Sequence, residues 1–202
     1  MKINYQNMLL DLLANLDYQP RLLLHSCCGP CSTQVLSLLA PYFDITVLYY
    51  NPNIEPFVEY EKRKNEQIRF IKDFHHSNIH FLDCDYDNEV FHEKVKGLEN
   101  AKEGSFRCPS CFLLRLEKTA ALAKSQNYEY FGTTLTVSPH KNSGQINKIG
   151  AFLEKKYDVK YLYSDFKKQN GYQKSVDLSK EYNLYRQNYC GCLYGRDFNE
   201  NS

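Results

Sequence analysis

The chain has 202 residues, a formal net charge of +1 and eight cysteines. That length buries a full core without covalent staples, and no apolar run approaches a membrane span or the core of a secretory leader, so the expected setting is cytoplasmic, with no membrane partner. In a reducing compartment, eight cysteines argue against structural disulfides and for metal binding or redox chemistry. The near-neutral total hides an asymmetry: residues 1–100 hold 9 Lys+Arg against 14 Asp+Glu, and residues 101–202 hold 16 against 10. A basic second half suits either a polyanionic partner or a solvated charged surface.

The pattern opens with an amphipathic helix over Asn4–Leu16, its apolar face built from Met8, Leu9, Leu12, Leu13 and Leu16. Leu22–His25 reads as a first strand, running through Cys27-Cys28-Gly29-Pro30-Cys31 into a helix from Ser32 to Pro41. Ile45–Tyr50 is a second strand, closed by the turn signal Asn51-Pro52-Asn53. Pro56 suits the first turn of a charged helix reaching about Phe74, and Ile79–Asp83 is a third strand. A short helix covers Asn88–Lys96. After a break at Gly104–Pro109, a strong helical pattern spans Cys111–Ser125. Tyr128–Val137 reads as a strand, Ile146–Tyr157 as a helix, Val159–Tyr163 as the last strand and Ser175–Arg186 as a polar helix leading to Cys190-Gly191-Cys192. Alternating strands and helices predict a single-domain Rossmann-like (HUP-like) α/β fold over residues 1–202. The expected sheet is mainly parallel, of about five strands with the first near its centre, flanked by helices and a C-terminal helical extension. The cysteine clusters should gather at its carboxyl edge, where such sheets bind ligands.

Seven of the eight cysteines fall in three clusters: Cys27, Cys28 and Cys31; Cys108 and Cys111; Cys190 and Cys192. Three chemistries fit. Paired Cys-x2-Cys offers the four thiolates of a structural zinc. Cys28-Gly29-Pro30-Cys31, between a strand and a helix, matches the thioredoxin tetrad, which would make a dithiol redox module. Soft thiolates drawn from two loops at strand ends suit an iron–sulfur cluster, which also accommodates the vicinal Cys27-Cys28 better than one small ion does. Cys190-x-Cys192 can ligate a metal or close a small, strained and easily reduced ring. Cys84, beside acidic residues, reads as a spare buried thiol. His75 and His76 read as a solvated helix end, and His25 as a core or hydrogen-bonding residue behind the cysteines. His140 reads as either a surface or a substrate-contacting residue.

Taken together, these motifs resemble the epoxyqueuosine reductase QueH family. The resemblance rests on His25-Ser26-Cys27-Cys28, Asn51-Pro52-Asn53-Ile54-x-Pro56, Cys108-x-x-Cys111-Phe112 leading to Arg115-Leu116-x-x-Thr119-Ala120, Leu135-x-Val137-Ser138-Pro139-x-Lys141, Asp165-Phe166-x-Lys168 and Tyr185-Arg186-Gln187-x-Tyr189-Cys190-Gly191-Cys192. It implies an oxidoreductase that reduces the epoxide of epoxyqueuosine at the tRNA wobble position, the last step of queuosine biosynthesis. Carried over by position, Cys27, Cys28, Cys108 and Cys111 would hold a [4Fe–4S] cluster. Cys190 and Cys192 would act in catalysis as a redox-active disulfide or bind a second mononuclear iron. Cys31 falls where the family also uses Asp, a residue type that still suits iron. Removing an epoxide oxygen takes two electrons and two protons, and Tyr49, Tyr50 and Asp165, at expected strand ends, are the candidate proton donors. No nucleotide-binding fingerprint is present, so the electron donor is expected to be external. The basic second half then acquires a partner: Lys141, Lys148, Lys155, Lys156, Lys167, Lys168 and Arg186 would line the backbone of a tRNA carrying epoxyqueuosine.

Overall fold

The computed structural model describes residues 3–195. One parallel sheet is formed by β1 (Arg21–His25), β2 (Asp44–Tyr49), β3 (Ile79–Asp83), β4 (Tyr130–Thr133) and β5 (Lys160–Tyr161), in spatial order β3-β2-β1-β4-β5. The helices around it are α1 (Tyr5–Ala14), α2 (Gly29–Leu39), α3 (Phe57–Phe74), α4 (Asn88–Val95), α5 (Arg107–Ser125), α6 (Ser143–Tyr157) and α7 (Gly171–Glu181). Among the described residues no helix is long and apolar enough to cross a membrane.

The leucine run of β1 explains its central place. Leu22 and Leu24 pack on one face with Val35, Leu36 and Leu39 of α2 and Phe70 of α3. Leu23 packs on the other with Leu116 and Ala120 of α5 and Ile146 and Leu153 of α6. A strand covered on both faces shows no polar alternation, and each buried leucine contributes about 1.5–3 kcal/mol. From β1 the chain winds outward through β2 to β3, then crosses back to set β4 on the other side of β1. The crevice beyond the carboxyl ends of β1 and β4 is therefore the switch point at which open sheets bind ligands.

Several boundaries differ from expectation, each for a local reason. α2 starts at Gly29, three residues early, because extended Cys28 caps it and Pro30 sits in its first turn, where no backbone hydrogen bond is lost. α5 starts at Arg107, so Cys108 and Cys111 share its amino-terminal end. The strand expected over Tyr128–Val137 is only Tyr130–Thr133. The Thr133 hydroxyl oxygen accepts the Leu135 N–H at 3.1 Å, and residues Thr134–Val137 turn into a 3-10 helix. The strand expected over Val159–Tyr163 shrinks to Lys160–Tyr161, since Asn147 takes the Ser164 N–H at 3.0 Å. α7 ends at Glu181 rather than running to Arg186; Asn183 takes a left-handed backbone and the Leu184 N–H turns back to Ser179.

Two glycines set close approaches. A Cβ on Gly150 of α6 would overlap the Tyr161 ring, and one on Gly171 would overlap the Phe166 carbonyl oxygen. Gly150→Ala is expected to lower unfolding free energy by about 1–3 kcal/mol, and Gly171→Ala by at least as much, because backbone yields less than a ring. Urea midpoints equal to wild type would show that both contacts relax freely.

Candidate functional site

The turn after β1 is rigid because its neighbours tie it down. The His25 ring is fully buried and joins two strand ends, contacting the Tyr50 carbonyl at 3.1 Å and the Thr133 hydroxyl at 3.0 Å. Burial, and then the nearby Arg115 charge, lower its pKa to about 3, so the ring is neutral and its role is to join strand ends, as expected of a residue behind the cysteines. Ser26 donates to Gln67 at 2.7 Å, Gln67 donates to Ser32 at 3.0 Å, and Asn51 donates to the Ser26 carbonyl at 2.8 Å. This network fixes the direction in which the next three thiols point.

The sulfurs of Cys27, Cys28 and Cys31 lie within 4.8 Å of one another, the only group of three or more His, Cys, Asp or Glu donors that close among the described residues. Cys28 and Cys31 are 2.7 Å apart, and Cys27 and Cys28 3.9 Å. The three differ in acidity. Hydrogen bonds from the Cys28 and Cys31 thiols, aided by Lys141 and Arg115, hold Cys27 well below the usual thiol range despite its burial. Burial, with Cys27 alongside, pushes Cys28 up to about 12, and Cys27 and Cys28 hold Cys31 up as well. One thiolate stabilised by two neighbouring thiols is a ready soft donor for a thiophilic metal.

A cavity of about 570 Å³ opens in front of this group, lined by Cys27, Cys31 and Cys190 among others. A smaller cavity behind it is lined by Cys108, Cys111, Cys190 and Cys192. Cys190 and Arg115 border both, so the two cavities adjoin, and Cys108 and Cys111 lie outside the close group of Cys27, Cys28 and Cys31. Burial raises the pKa of Cys108 and Cys192 and pushes Cys111 up to about 12. All eight cysteines are free thiols, and Cys190 and Cys192 are not joined. Among the described residues these two have no third His, Cys, Asp or Glu donor close enough for a separate ion, which leaves the second-iron alternative without support.

Buried cations surround the sulfurs. Arg115 is 1% exposed; it donates to the Cys111 carbonyl at 3.3 Å and to Asn51 at 3.5 Å, and its Nη2 is unpartnered among the described residues. Arg63, 2% exposed, binds Glu59 at 2.6 Å and donates to the Cys190 carbonyl at 3.1 Å, again with an unpartnered Nη2. Lys141 lines the main cavity. Burial opposes its charge, but Cys190, Cys27 and Cys31 outweigh that and raise its pKa, so it remains an ammonium. Buried charges demand partners, and an anionic group held on these thiols would provide them.

The Cys190 turn is held by a strap running along α3. Arg69 donates to the Tyr182 and Asn183 carbonyls at 3.1 and 3.0 Å, and Glu66 accepts the Tyr185 N–H at 2.7 Å. The Lys62 ammonium lies 3.4 Å over the Tyr185 ring. The Glu55 N–H donates to the Gly191 carbonyl at 3.0 Å, and Gly191, at φ +108°, would press a Cβ against Arg63 and Ile54. Only glycine takes this turn without strain.

Not every expected residue reaches the site. Tyr49 is fully buried and points its hydroxyl at the Tyr60 carbonyl at 3.4 Å; Tyr50 and Cys84 line a separate acidic cavity; Asp165 is paired with Lys167 at 3.0 Å. None of the three candidate proton donors borders the cysteine cavity: Tyr49 is packed in the core, Tyr50 faces the acidic cavity, and Asp165 lines a neighbouring groove, paired with Lys167. Cys84 is half-exposed rather than buried. Lys155 and Lys156 sit at the far end of α6, with Lys156 paired to Glu117, whereas Lys141 and Arg186 line the cavity. His75 and His76 are exposed at the end of α3, and His140 lines the cavity mouth. Arg63 and Arg115 carry no expectation from sequence. Arg115 is detectable in principle: it lies four residues after Cys111, on the same helical face. Arg63 is hidden in the charged run Glu59–Lys64.

The dithiol-exchange alternative needs an exposed, acidified attacking thiol. Cys28 is neither, being fully buried with a raised pKa. A structural zinc would close its coordination away from solvent, whereas these thiols face an open cavity.

A parallel α/β sheet with thiols at its switch point, ringed by buried cations, defines a Rossmann-like protein with a thiol-based redox or metal site. The chain belongs to the epoxyqueuosine reductase QueH family, whose model matches residues 22–197. A relative named epoxyqueuosine reductase QueH from Staphylococcus epidermidis is 41% identical over 201 residues, covering 96% of this chain and 84% of the relative. Its counterpart from Streptococcus pyogenes is 43% identical, covering 96% and 78%, and that from Thermotoga maritima is 39% identical, covering 85% and 88%. Among solved structures the chain is similar to the U34-tRNA thiolase NcsA from Methanococcus maripaludis with its [4Fe-4S] cluster, at a TM-score of 0.59 and 13% identity, covering 96% of this chain and 67% of that one. At that identity the likeness is one of fold.

Proposed function

We propose that this chain reduces epoxyqueuosine to queuosine at the tRNA wobble position, in the cytoplasm, using an iron–sulfur cluster and an external one-electron donor. The observation that carries the reading is that the three cysteine clusters line two adjoining cavities, bridged by Cys190 and Arg115, with Arg63 and Lys141 on the wall of the larger. Family membership supplies the substrate. The donor set fits the cofactor: soft sulfurs, one of them already acidified, are surrounded by buried positive charge that an anionic thiolate–iron group would balance. Cys27 and Cys28 from the β1 turn, with Cys108 and Cys111 from α5, would hold it. When bound, such a cluster supplies electrons one at a time.

The chain's own groups account for the protons. Lys141 keeps its ammonium beside Cys27, Cys31 and Cys190 and can protonate the epoxide oxygen as the C–O bond breaks. Even with a raised pKa it is a far stronger acid than the alcohol that forms. Cys190 and Cys192 are a dithiol at the cavity wall. Closing them to a disulfide releases two electrons and two protons, which matches conversion of an epoxide to an alkene and water. Reopening the disulfide consumes two electrons from the external donor.

Anaerobically isolated protein is expected to be brown, with about four irons per chain, and to convert epoxyqueuosine-containing tRNA when reduced, as read by mass spectrometry of its nucleosides. Cys108→Ala and Cys111→Ala should lose iron, whereas Cys31→Ala should retain it. Colourless, fully stable protein with stoichiometric zinc and no turnover would sink the proposal.

A further inference from the structure

We infer that a groove beside the cysteine cavity is the docking track for the RNA backbone flanking the modified nucleotide, with Lys148 and Lys168 as phosphate contacts and Gln6 as a sugar contact. This rests on the tRNA reading above and says where on the protein the polymer runs. The groove has a volume of about 960 Å³ and lies between the first turn of α1, the first turn of α6 and the segment 165–169. Lys141 lines both this groove and the cysteine cavity, so the two adjoin across one side chain. A nucleotide held at the thiols has neighbours in the strand, and the groove offers them space.

The groove is cationic: Lys141, Lys148, Lys167 and Lys168 line it against one carboxylate, Asp165. Asp165 is already paired with Lys167, whose ammonium also donates to the Thr136 carbonyl at 3.4 Å and the Lys141 carbonyl at 3.2 Å. Lys167 therefore braces the loops. Lys148 and Lys168 are exposed and have no ion pair among the described residues, which leaves them free for phosphate. The fifteen-residue helix α6 points its amino end, capped by Asn142, into the same groove and adds partial positive charge.

Gln6 supplies the independent observation. It is 5% exposed, it lines the groove, and its Oε1 has no hydrogen-bond partner among the described residues. A buried acceptor without a donor is costly. Phosphate oxygens cannot satisfy an acceptor, but a ribose 2′-hydroxyl can, and that group is what distinguishes RNA from DNA. An acidic electron-donor protein would also favour the lysines, but it gives no account of a buried acceptor on the wall of a groove adjoining the substrate cavity.

The test uses the full-length, cluster-loaded protein with an anticodon stem-loop RNA and a DNA of the same sequence, followed by fluorescence anisotropy across a salt series. Lys148→Glu and Lys168→Glu should each weaken RNA binding by about tenfold or more at low salt and reduce the log–log salt slope by about 0.7–0.9. Gln6→Leu should bring RNA and DNA affinities together while keeping the slope. Lys155→Glu, at the other end of α6, should bind as wild type, and circular dichroism should show every variant folded. If wild type binds RNA and both groove variants bind equally well, the track is wrong and the tRNA reading survives. The track is equally wrong if the groove variants lose only the rate of reduction by an acidic one-electron donor protein. If wild type fails to bind RNA at any salt, the tRNA reading falls and takes this inference with it.

Discussion

Replacing Cys190 with serine is expected to leave the protein folded and brown while slowing single-turnover conversion of epoxyqueuosine-containing tRNA by at least about 100-fold. Cys190 is the one thiol that borders both cavities, and its backbone carbonyl is held by Arg63, so the variant should keep the loop in place. A structural clip between Cys190 and Cys192 would behave differently. A ring closing so little chain restricts the unfolded state only slightly, so its loss would change stability a little and turnover not at all. The measurement is conversion by pre-reduced variant, with iron quantified in the same sample. Full activity would remove the dithiol from the mechanism and leave the cluster thiols to act alone.

Arg115→Met should separate folding from iron binding. In iron-free protein the guanidinium is fully buried with one nitrogen unpartnered and its charge offset chiefly by neighbouring cysteine sulfurs, so an apolar side chain of similar length removes a desolvation cost. The iron-free variant is therefore expected to unfold at an equal or higher urea concentration than iron-free wild type. The loaded protein should show the reverse: iron retention falls, and any cluster that forms is harder to reduce. A buried positive charge that favours the reduced state by about 1–3 kcal/mol raises a one-electron potential by on the order of 100 mV. The midpoint potential of the variant should drop by that order. An unchanged potential with normal iron content would show that Arg115 only packs.

The sequence is most readable where one physical signal dominates. Leu22-Leu23-Leu24 can be placed as the central strand because burial on both faces leaves no polar position, and the topology around β1 follows from the alternation of elements. Thr134–Val137 misleads because β-branched residues favour strands by side-chain packing, whereas the outcome there is decided by the Thr133 hydroxyl capping the next turn. The cysteines are recognisable as ligands or redox groups from their spacing. Their grouping across the two cavities is not, because it depends on how far α5 and the strap after α7 reach back toward β1. Lysines 148 and 156 look alike in sequence, yet α6 delivers one to a groove and the other to a carboxylate at its opposite end.

The rail of charged side chains on α3 has a consequence for how the site opens. Cys27 and Cys28 belong to a turn braced by His25, Ser26, Asn51 and Gln67 inside the sheet's core, so they come apart only when the whole domain unfolds. Cys190 and Cys192 ride on a segment fastened to α3 by separate hydrogen bonds between its backbone and the side chains of Arg63, Glu66 and Arg69, of which Arg63 is buried and Arg69 partly exposed. Each such hydrogen bond contributes only about 0.5–3 kcal/mol, depending on burial and charge, and can be broken without disturbing the sheet. The two sides of the thiol site therefore belong to different cooperative units: one as permanent as the fold itself, the other able to detach and reseat through local opening while the sheet stays intact.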